Sequence, residues 1–182
     1  MNLVDFRDAI VATVKERLPH LKDCSSHGGR FTLDELKRWM TQAPGVKIAI
    51  LNLVPGNGVS GGSRDYMARC VAVVVTRDAP SLPRDTSVLT IAQTLIETVY
   101  QNTWGLDDNV VFPAGAAAGK SLYSTELDRQ GVAFWAIEWE QELRLPVSPP
   151  SDPVDPQLYV SMAPHIGADH VDDYVEVGGD DD

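Results

Sequence analysis

Residues 132–145 constrain the fold of this chain more than any other stretch. Trp135, Ile137, Trp139, Leu143 and Leu145 share one parity, broken only by Gln141. The other parity opens with Val132, Phe134 and Ala136 and then turns to Glu138, Glu140 and Glu142. A repeat of two is the side-chain period of a β-strand, so the pattern predicts one long strand with three carboxylates on a single face. Strand signals recur at 46–54 and 68–76, the second holding the unbroken apolar run 71–75. The Gly-rich stretch 55–63 between them reads as a flexible connection joining two antiparallel strands.

Three helices are expected around these strands. Over 3–18, Phe6, Ile10, Val14 and Leu18 recur every four residues, with Val11 beside them, until Pro19 ends the run. A second helix opens on a capping box. Thr32 accepts from the Glu35 amide while the Glu35 carboxylate reaches back to the Thr32 amide. Pro44-Gly45 stops it. A third, over 86–102, places Val88, Ile91, Ala92, Leu95, Ile96 and Val99 on the stripe of a helix laid against a sheet. Residues 21–25 form a short candidate strand, and 104–119 read as turns.

Charge divides the chain in two. Its 182 residues carry 15 Lys and Arg against 26 Asp and Glu, a formal net charge of −11. All the bases lie within 1–145, which sits near neutrality. Residues 146–182 hold acids alone, with Pro146, Pro149, Pro150, Pro153 and Pro156 at their start. Proline at that density favours an extended, non-helical arm. Inside the arm, 159–162 and 174–177 are strand-like islands. The acid excess argues against gripping nucleic acid, because phosphate affinity comes mainly from Lys and Arg. No secretory signal and no membrane-length apolar run are visible. Two cysteines, Cys24 and Cys70, are too few for a disulfide framework and read as reduced thiols.

Several motifs tempt and then weaken. Gly-Asn-Gly-Val-Ser-Gly at 56–61 spells a dinucleotide fingerprint, but the residues after it leave no room for the helix whose N-terminus holds the pyrophosphate. Ala-Gly-Ala-Ala-Ala-Gly-Lys-Ser at 114–121 approaches a phosphate loop, but Pro113 breaks the strand that should lead into it. A small-residue loop before a strand accounts for it better. His20, Cys24 and His27 lack the second pair that a structural zinc site needs. The three glutamates read as the wet face of a strand, since one same-face row does not separate their acidities as acid/base catalysis requires. These residues predict no catalytic site, no metal and no cofactor.

Two stretches carry a family resemblance. The first is Arg-Phe-Thr-Leu-Asp-Glu-Leu-Lys-Arg at 30–38 followed by Ala-Pro-Gly-Val-Lys-Ile-Ala at 43–49. The second runs from Lys-Ser-Leu-Tyr-Ser-Thr-Glu-Leu-Asp-Arg-Gln-Gly at 120–131 into Val-Ala-Phe-Trp-Ala-Ile-Glu-Trp-Glu at 132–140. With the opening helix, their order and spacing over 3–145 resemble the phage Mu-type tail terminator family of contractile-tailed phages and Mu-like prophages. The resemblance implies an α/β (α+β) domain over 1–145, an antiparallel-dominated sheet on two to three helices, with the acidic Pro-rich arm of 146–182 outside it.

It further implies a non-enzymatic, six-fold ring in the virion, at the head-proximal end of the tail, assembled in the host cytoplasm. The implied partners are further copies of the chain, the tail tube, the sheath and the neck or head-completion proteins. DNA would pass through the lumen without specific binding, and no membrane is involved. On that picture Glu138, Glu140 and Glu142 are candidate lumen-facing residues. Gly56, Asn57, Gly58, Gly61, Gly62 and Arg64 are a candidate docking loop. Tyr159, Val160, Met162, Tyr174, Val175 and Val177 are candidates for insertion by the arm into a neighbouring sheet edge. The alternatives are a neck connector and, in another class, a nucleotide-binding enzyme built on 114–121.

Overall fold

Asn2 sets the first element. Its side-chain oxygen accepts from the Asp5 amide at 2.9 Å and the Asp5 carboxylate accepts from the Asn2 amide at 3.0 Å, opening helix α1, Leu3–Arg17. A computed structural model describes residues 2–29, 32–59, 62–80, 82–122, 125–146, 158–160 and 175–177. After α1 come β1 (Asp23–Ser26), α2 (Leu33–Trp39) with a short 3-10 turn (Met40–Gln42), β2 (Gly45–Val59), β3 (Ser63–Arg77) and α3 (Arg84–Val99). Then follow β4 (Ala118–Ser121), α4 (Thr125–Arg129) and β5 (Val132–Pro146), with β6 (Leu158–Val160) and β7 (Val175–Val177) beyond them. The chain divides into two units, Met1–Val147 and Ser148–Asp182.

The first unit is α+β. Its five-stranded sheet has the order β1-β2-β3-β5-β4, and only the β1–β2 pair is parallel. Phe6, Ile10 and Val14 of α1 and Val88, Leu95 and Val99 of α3 pack on one face, against Val46, Ile48, Ala72, Val74 and Ile137. On the opposite face Leu36 and Trp39 of α2, with Ala43, cover Ala49, Val71, Val73, Val75, Phe134 and Ala136. That second layer explains the unbroken apolar run of 71–75. A strand roofed on both faces has no wet side on which to alternate. It also explains why both parities of β5 begin apolar.

Past Val71 towards the hairpin end, the α2 side of the sheet is bare. The rows Asn52–Arg69–Glu140 and Val54–Met67–Glu142 cross β2, β3 and β5 there, and Val54, Met67, Arg69 and Glu140 are exposed. The other side of the same rows is roofed by the segment 102–114, whose Trp104, Val111 and Ala114 are buried.

Three expectations need correction. The stretch 55–63 joins two antiparallel strands, but 55–59 and Ser63 are themselves strand: β2 continues to Val59 and β3 begins at Ser63, with the register shift between Pro55 and Gly58 absorbing one residue. Strand β5 supplies the reason, because it pairs with β3 to the very end, Arg64 with Leu145 and Ser63 with Pro146, and holds the ladder that the glycines alone would not. Residues 114–121 are not all loop, since Ala118–Ser121 adds to the edge of β5 as β4. Helix α4 stands where no helix was expected.

Candidate functional site

Alternation along β5 places Glu138, Glu140 and Glu142 on the bare face, as its pattern predicts, but they do not form a naked acidic row. The Glu138 carboxylate meets the Lys120 ammonium of β4 at 2.6 Å, and Glu140 meets the Arg69 guanidinium of β3 at 3.1 Å. Beside Glu142, Arg144 donates to both carboxylate oxygens of Asp65, at 2.8 and 3.0 Å, and lies 5.1 Å from the Phe112 ring centre. The forked hydrogen bonds hold the Asp65 carboxyl below its usual range and, aided by the Glu142 charge, push the Arg144 guanidinium further up. Four acids and three bases thus alternate across the face. Glu140 and Arg69 are each more than half exposed, so their pair adds little stability and yields to salt.

Gln141 separates this face from the interior. It is 1% exposed, on the opposite side of β5 from the glutamates. Its amide oxygen accepts from Trp104 Nε1 at 2.8 Å and, more loosely, from Trp139 Nε1 at 3.4 Å. Its amide nitrogen donates to the carbonyls of Asn102 and Phe112, both at 2.9 Å. A residue that only interrupts the pattern in sequence is therefore a clamp tying 102–114 to the sheet, beside the backbone bonds from Phe112 to Glu142 at 3.0 Å and from Arg144 to Val110 at 2.7 Å. Trp104 sits at φ 60°, a left-handed conformation a bulky residue adopts only when its surroundings enforce it.

The other candidates fall in separate places. Gly56, Asn57 and Gly58 belong to β2 and Arg64 to β3; Gly62 turns the hairpin at φ +76°, and Gly61 lies outside the described residues. A Cβ on Gly56 would stand 3.0 Å from the Asp65 carbonyl oxygen, which explains glycine inside that strand. A strand, not a helix, follows the 56–61 fingerprint, so the helix N-terminus that would hold a pyrophosphate is not there. Lys120 of the phosphate-loop match stands in edge strand β4, bound to Glu138. Tyr159 and Val160 lie in β6 and Val175 and Val177 in β7; these strands pair antiparallel, Leu158 with Val177 and Val160 with Val175. Met162 and Tyr174 lie outside the described residues.

The histidine–cysteine cluster disperses. Burial pushes the Cys24 thiol up to about 11 and that of Cys70 up to about 12, which keeps both protonated. His27 packs edge-on against Trp39 at 4.8 Å, with Nε2 3.8 Å from Glu35, and Lys47 pairs with Asp23 at 2.6 Å. Among the described residues no group of three His, Cys, Asp or Glu side chains is placed to hold a metal ion. Nor is any described helix long and apolar enough to cross a membrane. No protein-family model matches the chain, and no curated protein matches it in sequence.

Proposed function

We propose that this chain is a structural tail terminator: copies of it form a ring on the head-proximal end of a phage tail tube, stop tube growth and join the tail to the neck. The reading is carried by the order and spacing of the two stretches at 30–49 and 120–140 that resemble the Mu-type family. Those stretches build α2 with the start of β2, and β4 through α4 into β5. The placement of Lys120 in an ion pair on an edge strand weighs against the nucleotide-binding alternative, which needs that ammonium free for phosphates.

In the ring, the bare face of the sheet lines the lumen, with Glu138, Glu140 and Glu142 towards the DNA. Because Lys120, Arg69 and Arg144 pair with neighbouring acids, each copy adds only a slight acid excess. The wall is close to neutral and faintly repulsive, which suits DNA that must slide and not stick. The tube, the sheath and the neck proteins are the partners on this reading.

Negative-stain imaging of purified protein mixed with tail tubes tests it. Capped tubes of fixed length are expected; tubes that keep growing in its presence would refute the proposal. A ring structure with the three glutamates on its outer rim would refute the lumen assignment alone. Calorimetry with ATP and Mg²⁺ should give no heat of binding.

A further inference from the structure

The outer edge of β2 is closed at one end and open in the middle. Strand β1 pairs with β2 only from Gly45 to Ile48, and the amide of His27 makes the last bond, to the Ile48 carbonyl at 2.7 Å. Beyond that, among the described residues, no strand pairs with this edge, and the Leu53 amide donates to Asn52 Oδ1 at 2.8 Å, a bond that an incoming strand must displace. Leu51 is the extra residue of a bulge, and Pro55, which has no amide hydrogen, interrupts the edge further on. The usable window is therefore short, residues 51–54. Beside it runs a groove of about 490 Å³ between the edge and the first turns of α1, lined chiefly by Leu3, Val4, Arg7, Ile50, Leu51 and Leu53. Val4 and Leu51, which face each other across it, are exposed.

An open strand edge with a helix alongside is a receptor for an extended peptide: backbone bonds supply affinity, and alternate side chains entering the groove supply selectivity. The window selects a short strand, the apolar walls select β-branched residues at alternate positions, and Arg7, exchanging the exposed Asp8 carboxylate that it holds at 3.0 Å, selects acid. Strand β7, Val175–Val177, meets all three. It is three residues long, has valine at both positions of one parity, and is flanked by Asp172, Asp173 and the aspartates at 180–182. No Lys or Arg occurs in 146–182. Eleven residues, 147–157, separate β5 from β6, the partner of β7; their contour of roughly 40 Å brings an adjacent copy within reach. Strand β6 occupies one edge of β7 and leaves the other for pairing.

We infer that the groove between α1 and the 51–54 edge of β2 receives the Val175–Val177 strand of a second copy. This rests on the self-assembly in the proposed function and names the contact that produces it. The same bulge and proline that shorten the window keep the edge from pairing indiscriminately.

Full-length variants test it. Leu51→Asp spoils the groove and leaves the arm intact; the double variant Val175→Asp/Val177→Asp does the reverse. A circular dichroism spectrum and urea midpoint like those of the parent chain verify that each folds. A fluorescein-labelled peptide of residues 171–182 is expected to bind the arm variant. Adding Leu51→Asp to that variant should weaken binding at least about tenfold. Arg7→Glu should weaken it less, and added salt should weaken it too. In sedimentation equilibrium each variant alone should be monomeric and an equimolar mixture should give a one-to-one complex.

Peptide that fails to bind, or that binds equally with Leu51→Asp, overturns the inference. So does wild-type protein that stays monomeric, which would mean that no second copy docks. Peptide binding and a mixed complex without any capping of tubes would uphold the inference and overturn the proposed function.

Discussion

Replacing Gln141 with leucine keeps the size of the side chain and removes all of its hydrogen bonds. Three groups then lose their described partners: the Trp104 indole N–H, the Phe112 carbonyl and, from its looser contact, the Trp139 indole N–H. The Asn102 carbonyl does not join them, because it still accepts from the Ala114 amide at 3.3 Å. An orphaned buried group costs about 1–3 kcal/mol, so the two closely bonded ones cost about 4 kcal/mol, and the loosely held Trp139 N–H adds little. Burying a leucine in their place returns about 2 kcal/mol. The net expectation is a loss of about 2 kcal/mol, or roughly 6 °C in melting temperature for a domain of this size.

Urea unfolding followed by tryptophan fluorescence measures the change directly, since Trp104 and Trp139 both border the site. Hydrogen exchange adds location: amides within 102–114 should lose protection before those of β3. Gln141→Glu keeps the acceptor for Trp104 but puts an ionised carboxylate against two carbonyls. It should be worse than leucine at neutral pH and recover as acid restores a donor. A Gln141→Leu protein as stable as the wild type, with 102–114 still protected, would refute the reasoning.

Other expectations follow from the same contacts. Asp65 has a depressed pKa in the fold, so its contribution is present above the ordinary carboxylate value of about 3.9 and is lost as pH falls through its folded value. Asp65→Asn should therefore lower the melting temperature at neutral pH, and the gap to wild type should close in acid. Cys24 and Cys70, both buried and protonated, should react with a thiol reagent at mildly alkaline pH only as fast as the fold opens, and at once in denaturant. Reversing the lumen charge with Glu138→Lys, Glu140→Lys and Glu142→Lys should slow passage of DNA through assembled tails, read as delayed release from particles; unchanged release counts against the lumen assignment.

Local signals were enough for α1, α2 and α3, but not for the five-residue α4. Asn2 and Thr32 cap α1 and α2 from within three residues, and Pro19 and Gly45 stand just past the helical segments. The long alternation of β5 was equally plain, and with it the side on which the glutamates lie. What could not be read depends on partners remote in sequence. Gly56 to Gly58 have no strand propensity of their own; the ladder there is held by β3, which β5 braces across a separation of some eighty residues. Ala118–Ser121 is a strand only because β5 offers it an edge. The pairing of Asp65 with Arg144, and of Gln141 with Asn102 and Phe112, joins residues that nothing in a single sequence associates. Gln141 did leave a trace, as the one polar residue in an apolar parity, and such a break is the signal to look for a buried hydrogen-bond hub.

The unequal roofing of the sheet has a mechanical meaning. Where helices press on both faces, around Val71–Val75, the strands are clamped. Past the Leu51 bulge, β2, β3 and β5 run on for roughly 25 Å without the α2 layer, tied down through Gln141 and the backbone bonds of Phe112 and Arg144. That is a cantilever with its fixed end in the core, and only the β2–β3 ladder is interrupted at its root, because β3 and β5 pair there without a break. A force applied near Gly62 acts with the full length of the beam, so a small push at the tip becomes a large torque at the row of Leu51 and Asn52.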